Sequence, residues 1–220
     1  MNTDELYLGI VNDAMNHLGF TYKDYFIDIK PIAGYKNLIS GPAFTTFGEI
    51  VDPSADYTEL DNIRLEMYRP DNFINNPVVV LQSNDDIVAH SGDITSKIYK
   101  KLGAVGFVTD GNIRDTEIIK SLPFPVFAAS HNPIDAINFW ALTKYQVDLV
   151  IKDIKIRPGD YLFCGNDGII VCPIEQYTNL LVKMAEVLSK ETKVRNMIDS
   201  LAPEDLYNTL KELVKTGGRW

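Results

Sequence analysis

Three short apolar runs limit what this chain can fold into more than anything else in it. Val78–Gln82, Val105–Thr109 and Pro125–Ala129 are nearly unbroken hydrophobic segments, short for helices and lacking the alternation of a half-exposed strand. Helical patterns separate them: Ile94–Leu102 before the second run, and a second helix from about Asp115 to Lys120 before the third. Strands apolar on both faces, alternating with helices, imply parallel βαβ units and a sheet covered on both sides. The expected fold class is therefore α/β.

The flanking segments extend this plan. Thr3 reads as a helix cap with Asp4 and Glu5 in the first turn. Leu6, Ile10, Ala14 and Leu18 then share a face until Gly19 ends the helix. Residues 41–51 are β-prone after a Gly41-Pro42 entry turn. Leu60, Ile63 and Met67 give helical spacing over Tyr57–Tyr68, stopped by Arg69-Pro70-Asp71-Asn72. From Val147 the pattern changes to hairpins, with turns at Arg157-Pro158-Gly159-Asp160 and Gly165-Asn166-Asp167-Gly168. Tyr177, Leu180, Leu181, Met184, Val187 and Leu188 form a helical stripe, and another helix follows Ala202-Pro203-Glu204-Asp205. The reading is one domain over residues 1–220, with 175–220 as a helical arm suited to packing across a subunit boundary.

Composition excludes several functions. A net charge of −9 argues against nucleic-acid binding, which relies on clustered Lys and Arg. No apolar run approaches the roughly 18 residues of a membrane span. The start of the chain lacks an apolar secretion segment, and two cysteines, Cys164 and Cys172, are too few for a disulfide framework. Both cysteines fall in strand-like runs and read as reduced core thiols of a cytoplasmic protein.

The segment most suggestive of chemistry runs from Gly92 to Asp115. Gly92-Asp93-Ile94-Thr95 is a glycine-led turn into a helix, with Asp93 as the expected cap. Its free N–H groups and positive dipole end suit a carboxylate or phosphate. After the second apolar strand, a turn at Gly111 delivers Arg114 and Asp115, a permanent cation beside a good hard-metal ligand. An Arg-Asp dipeptide is usually a surface pair near a helix start. This one follows the C-terminal end of a buried strand, where open α/β sheets bind ligands. Other motifs are missing: there is no Walker or dinucleotide glycine pattern, no Gly-x-Ser-x-Gly elbow and no Cys-x-x-Cys. His17, His90 and His131 share no metal-ligand spacing; His90 alone stands close to the Gly92 turn.

With these blocks in view, the chain resembles the RraA-like family, which includes 4-hydroxy-4-methyl-2-oxoglutarate (HMG) aldolases and the regulator of ribonuclease activity A. The resemblance covers most of the chain. It is carried by Asp13-Ala14-Met15-Asn16-His17-Leu18-Gly19 and Gly41-Pro42-Ala43-Phe44-Thr45. It continues through Gly92-Asp93, Gly103-x-x-Gly106-Phe107-Val108-Thr109-Asp110-Gly111-x-x-Arg114-Asp115 and Phe124-Pro125-Val126-Phe127-Ala128. It closes with Ile156-Arg157-Pro158-Gly159-Asp160-Tyr161-x-Phe163-x-x-x-Asp167-Gly168-x-x-x-x-Pro173. It implies a swivelling β/β/α-type domain with a mixed sheet or barrel-like core, flanking helices and a helical C-terminal arm. It also implies a homotrimer or dimer of trimers.

The implied activity is a class II, Mg²⁺- or Mn²⁺-dependent aldolase that releases pyruvate from a 4-hydroxy-2-oxo acid and also decarboxylates oxaloacetate. On matching positions, Gly92, Asp93, Ile94 and Thr95 would hold the substrate carboxylate. Arg114 and Asp93 would act in catalysis, and Asp115 would anchor the metal. Asp93 departs from the glutamate common in the family, Ser96-Lys97 replaces the small residues often seen after that turn, and Ser130-His131-Asn132 replaces a glycine-containing segment. Glu191 is the candidate for an acid lent by a neighbouring subunit. The alternative implied by the same family is a non-catalytic protein that inhibits a ribonuclease assembly. A phosphohistidine carrier with His90 as acceptor is a weaker third reading.

Overall fold

The three apolar runs become the parallel heart of a mixed sheet. The computed structural model describes residues 6–32, 37–52 and 54–215, so the Thr3-Asp4-Glu5 cap lies outside the described residues. In chain order the helices are α1 (Leu8–His17), α2 (Tyr22–Tyr25), α3 (Tyr57–Met67), α4 (Asp93–Leu102), α5 (Thr116–Ile119), α6 (Tyr177–Ser200) and α7 (Pro203–Lys215). The strands are β1 (Phe26–Ile27), β2 (Ile39–Ile50), β3 (Val78–Gln82), β4 (Ala89–Ser91), β5 (Gly106–Ile113), β6 (Val126–His131), β7 (Trp140–Tyr145), β8 (Leu149–Ile151), β9 (Ile154–Ile156), β10 (Tyr161–Gly165) and β11 (Gly168–Cys172).

The main sheet has nine strands in the order β1-β11-β10-β2-β3-β5-β4, with β6 also on β5 and β7 also on β2. Pairs β2–β3, β3–β5, β4–β5 and β5–β6 are parallel. Pairs β1–β11, β10–β11, β2–β10 and β2–β7 are antiparallel. The hairpin β8–β9 stands apart as a two-stranded sheet. This is an α/β mixed sheet with flanking helices.

Burial explains why the apolar runs show no alternation. Val79 and Leu81 enter one core with Phe44, Tyr99, Phe107 and Ile119, under α3, α4 and α5. Val78 and Val80 enter the opposite core with Val108, Leu149, Ile156 and Val171. A strand packed on both faces gains from every side chain, about 1.5–3 kcal/mol for each large aliphatic fully buried. A third cluster joins α1 and α6 to β10 and β11 through Ile10, Met15, Phe163, Leu180 and Met184. Cys164 and Cys172 are buried free thiols, as expected. Burial raises both, Cys172 to about 12, which leaves neither reactive near neutrality.

Several expectations change in the folded chain. Gly111 is not a turn: β5 runs unbroken from Gly106 to Ile113, with a register shift between Thr109 and Asn112. A side chain at Gly111 would place its Cβ 2.3 Å from His90 Nδ1 and 2.6 Å from Ser83 Oγ, so the glycine is there for close packing. β1, β4 and β7 carried no clear signal; the first two are only two and three residues long. In the C-terminal portion, α7 buries none of its residues. No helix among the described residues is long and apolar enough to cross a membrane.

Candidate active site

Ligand crevices of open α/β sheets lie beyond the C-terminal strand ends, and β4 and β5 both stop there. Arg114 follows β5 directly and its N–H donates to the Ser91 carbonyl at 2.9 Å, tying the ends of the two strands together. Asp115 comes next with φ 60° and ψ 34°, a left-handed conformation unusual for a residue with a side chain. It holds the N-cap position of α5 yet makes no side-chain cap there. Its carboxylate turns instead toward the start of α4, where Oδ2 accepts from the Asp93 N–H at 3.4 Å.

Gly92 is the residue that permits this. It is the N-cap of α4, in extended backbone at φ −147°, ψ −161°. A Cβ added there would lie 2.4 Å from Asp115 Oδ2, 3.1 Å from Arg114 Cγ and 3.5 Å from Arg114 Nε. The Arg-Asp pair therefore rests against the glycine-led turn across space that any side chain would fill. First-turn N–H groups of a helix have no intrahelical acceptor, so the start of α4 offers donors beside both side chains. Arg114 and Asp115 keep 39% and 35% of their side-chain surface, so the pair opens to solvent.

Asp93 is not the cap that the sequence suggested. It occupies the first helical position and pairs with Lys97 Nζ at 2.6 Å, one turn along. That ammonium holds the Asp93 carboxyl below its ordinary range. A glycine N-cap caps without a side chain, which leaves Asp93 free to make this i,i+4 pair.

No local pattern pointed to Asp135. Arg114 Nη1 donates to Asp135 Oδ2 at 2.7 Å, and Asp135 Oδ1 accepts from the Ile137 N–H at 2.9 Å. The bond to Arg114, then the Ile137 N–H, lower the Asp135 pKa; the same carboxylate raises that of Arg114. Asp135 lies in an irregular stretch after β6 and 21 residues from Arg114, so no local pattern marks it.

Gly92, Thr95, Arg114 and Asp135 line one side of a cavity of about 550 Å³; Asp93 and Asp115 are not part of its lining. Its walls include Tyr57, Leu60 and Tyr68 from α3 or its end, Tyr99 of α4, Phe107 of β5, and Trp140 and Leu142 of β7. The Tyr68 ring packs edge-on against that of Tyr99, 5.9 Å between centroids, joining α4 to the cavity wall. Tyr57, Leu60, Arg64 and Tyr68 recur at helical spacing. That signal was present in the sequence, but it equally fits a core-facing stripe.

His90 lines the cavity, but its side chain is fully buried. Its Nε2 lies 2.9 Å from Asp85 Oδ2, and its ring packs on Trp140 at 4.6 Å between centroids. Burial lowers its pKa, outweighing the Asp85 carboxylate that raises it. An imidazole shut from solvent cannot serve as a phosphate carrier. His17 ends α1 and His131 ends β6, far from any common cluster in sequence. Among the described residues, no three His, Cys, Asp or Glu side chains gather as a metal cage. Glu191 is engaged within its own chain, paired with Arg195 and accepting from the Tyr7 hydroxyl.

The fold is that of the RraA proteins. It superposes on an uncharacterized protein from Pseudomonas syringae pv. tomato with a TM-score of 0.75 at 24% identity, covering 91% of this chain and 92% of the other. It also superposes on Streptomyces coelicolor RraAS2, titled an unusual member of the RNase ES inhibitor RraA protein family, with a TM-score of 0.65 at 18% identity over 89% and 91% of the two chains. The sequence places it further: residues 10–171 match the RraA-like (Aldolase/RraA) family model, and the chain belongs to that family.

A Halalkalibacterium halodurans relative named "Putative 4-hydroxy-4-methyl-2-oxoglutarate aldolase" is 36% identical over 107 residues, 48% of this chain. The match spans half of that relative's length. A Methanocaldococcus jannaschii protein named as uncharacterized is 29% identical over 182 residues, covering 82% of this chain and 85% of its own.

Proposed function

We propose that this protein is a carbon–carbon lyase, a divalent-metal-dependent aldolase that releases pyruvate from a 4-hydroxy-2-oxo acid of the HMG type. The observation that carries the reading is the contact of Asp115 and of the cavity-lining Arg114 with Gly92 at the start of α4. It brings a cation, a carboxylate and helix N–H donors to one place. The Halalkalibacterium relative's name supports the same class.

The donor set fits a hard dication. Asp115 presents a partly exposed carboxylate that no cap consumes, and Mg²⁺ characteristically takes one or two carboxylates with waters and substrate oxygens. Bound through Asp115 and water, Mg²⁺ or Mn²⁺ would supply Lewis acidity at the carboxylate and keto oxygens of the substrate. The chain's own groups do the rest. N–H groups of Gly92 to Thr95 hold the C1 carboxylate. Arg114, fixed by Asp135, neutralises charge developing on the keto oxygen as the C3–C4 bond breaks. Asp93, or a water beside it, takes the proton from the C4 hydroxyl. Its pairing with Lys97 makes it a weak base, which favours the water. Loss of CO₂ from oxaloacetate leaves the same pyruvate enolate, so one site serves both reactions.

A lactate dehydrogenase-coupled assay on HMG and oxaloacetate, with and without EDTA, tests this directly. The expected result is pyruvate from both substrates, abolished by the chelator and restored by Mg²⁺ or Mn²⁺. Unchanged activity in EDTA removes the metal from the reading. Assembly as a trimer or dimer of trimers, with residues 175–220 at a subunit boundary, belongs to the same proposal. Light scattering or sedimentation tests it.

A further inference from the structure

We infer that the preferred aldol is a monoanion: a 4-hydroxy-2-oxo acid with one carboxylate, whose C4 substituent is aromatic or branched aliphatic. This rests on the aldolase reading and departs from it only in placing HMG, a dicarboxylate, below a monocarboxylate as substrate. In the reaction, the C4 hydroxyl loses its proton and C3–C4 breaks. C4 then leaves as the neutral aldehyde, and the electron pair remains on C3 as pyruvate enolate, which takes up a proton.

Charge is the first ground. Among the described residues, the acidic and basic side chains lining the cavity, His90 aside, are Asp61, Arg64, Arg114 and Asp135. They are matched pairwise: Arg114 with Asp135 at 2.7 Å, and Arg64 with Asp61 at 2.6 Å. His90 adds no cation, since burial lowers its pKa and Asp85 already engages it. The chain as a whole carries −9. A second carboxylate on the substrate meets no unmatched cation among the described lining residues, and losing water without a partner is unfavourable.

Lining and size are the second ground. A cavity of about 550 Å³ far exceeds the needs of a three-carbon oxoacid fragment and falls within the ~300–1,000 Å³ of sites for drug-sized ligands. Beyond the Arg114 side, Leu60, Trp140 and Leu142 present apolar wall, Trp140 and Leu142 each under a tenth exposed. Each methylene withdrawn from water is worth about four-fold in affinity, so a ring in this space gains well over ten-fold.

The test is a matched pair of uncleavable 2-oxo acids bound to the full-length protein with Mg²⁺, measured by calorimetry. 2-Oxo-4-phenylbutanoate and 2-oxoglutarate differ at the distal end, phenyl against carboxylate. We expect the phenyl acid to bind at least ten-fold tighter. Leu60→Lys, at a half-exposed position, adds an unmatched cation and should cut that ratio at least ten-fold, with circular dichroism unchanged. In turnover, 4-hydroxy-2-oxo-4-phenylbutanoate should exceed HMG in kcat/KM by a similar factor. If pyruvate is released but 2-oxoglutarate binds as tightly and HMG is the better substrate, the monoanion inference is overturned and the aldolase reading stands. If no aldol yields pyruvate, the aldolase reading falls and takes the inference with it.

Discussion

If the proposed aldolase site is right, replacing Gly92 by alanine should separate catalysis from stability. The added Cβ would start 2.4 Å from Asp115 Oδ2, whereas ordinary van der Waals contact begins near 3.4 Å. One of the two must give way by about 1 Å, and the Arg114 Cγ at 3.1 Å blocks part of the escape. A displacement of about 1 Å at reacting groups is enough to cost on the order of 100-fold in rate, equivalent to about 2.7 kcal/mol of transition-state stabilisation. The fold has little reason to suffer. Backbone at φ −147°, ψ −161° is open to alanine, and Asp115 has a partly exposed side chain that can swing outward. Gly→Ala at a compatible position even gains about 0.4–1 kcal/mol through the unfolded chain. The expected outcome is a fall in pyruvate release of roughly 100-fold with a melting temperature close to that of the unmodified protein. The measurements are the coupled assay and thermal unfolding by circular dichroism. A Gly92→Ala protein with more than half the original kcat refutes the claim that this close approach builds the site.

Other consequences can be checked alongside it. Arg114→Ala should lower kcat by about 100- to 1,000-fold, the usual loss for one oxyanion-stabilising donor, without unfolding the protein. Asp135→Asn keeps a hydrogen-bond acceptor but loses the charge that fixes Arg114; it should lower kcat about ten-fold, close to 1.4 kcal/mol, and leave the melting temperature nearly unchanged. Phe107→Ala removes a ring with no exposed surface from the core under α4, and urea unfolding should show a loss of about 3–5 kcal/mol. Glu175 has its pKa lowered from 4.5 to about 2 by the two bonds it accepts from Arg157. Its stabilising effect is complete above pH 4.5 and fades as pH falls toward 2, so acid unfolding of Glu175→Gln should show a shallower pH dependence in that window.

The sheet and the site were legible to different degrees. Val78–Gln82 and Val105–Thr109 announce themselves because strands buried on both faces need apolar side chains at every position. The hairpin turn at Asn166-Asp167 is legible for a local reason, since Gly168 at φ 136° adopts backbone that other residues avoid. β1 and β4 escaped notice because two or three residues cannot establish a period. β7 begins with Trp140 after an irregular stretch, and its position beside β2 is set by long-range pairing. At the site, Gly92, Arg114 and Asp115 stood out by type and by place at a strand end. Asp135 did not, because an aspartate two residues after a proline is ordinary loop composition until the fold sets it beside Arg114.

The α/β class, the membership of residues 10–171 in the RraA-like family, and the residues that deserved attention were all readable from the order of amino acids. Local forces carry that information: helical and strand periods, glycine conformations, and the burial demanded by apolar runs. That Asp115 leans on Gly92 instead of capping its own helix emerges only once distant segments pack together. The same holds for the guanidinium of Arg114 being held by Asp135, and for the α3 face lining a cavity instead of filling a core. Those are contacts between segments distant in the chain, and their geometry depends on ångström-scale packing that no local pattern encodes.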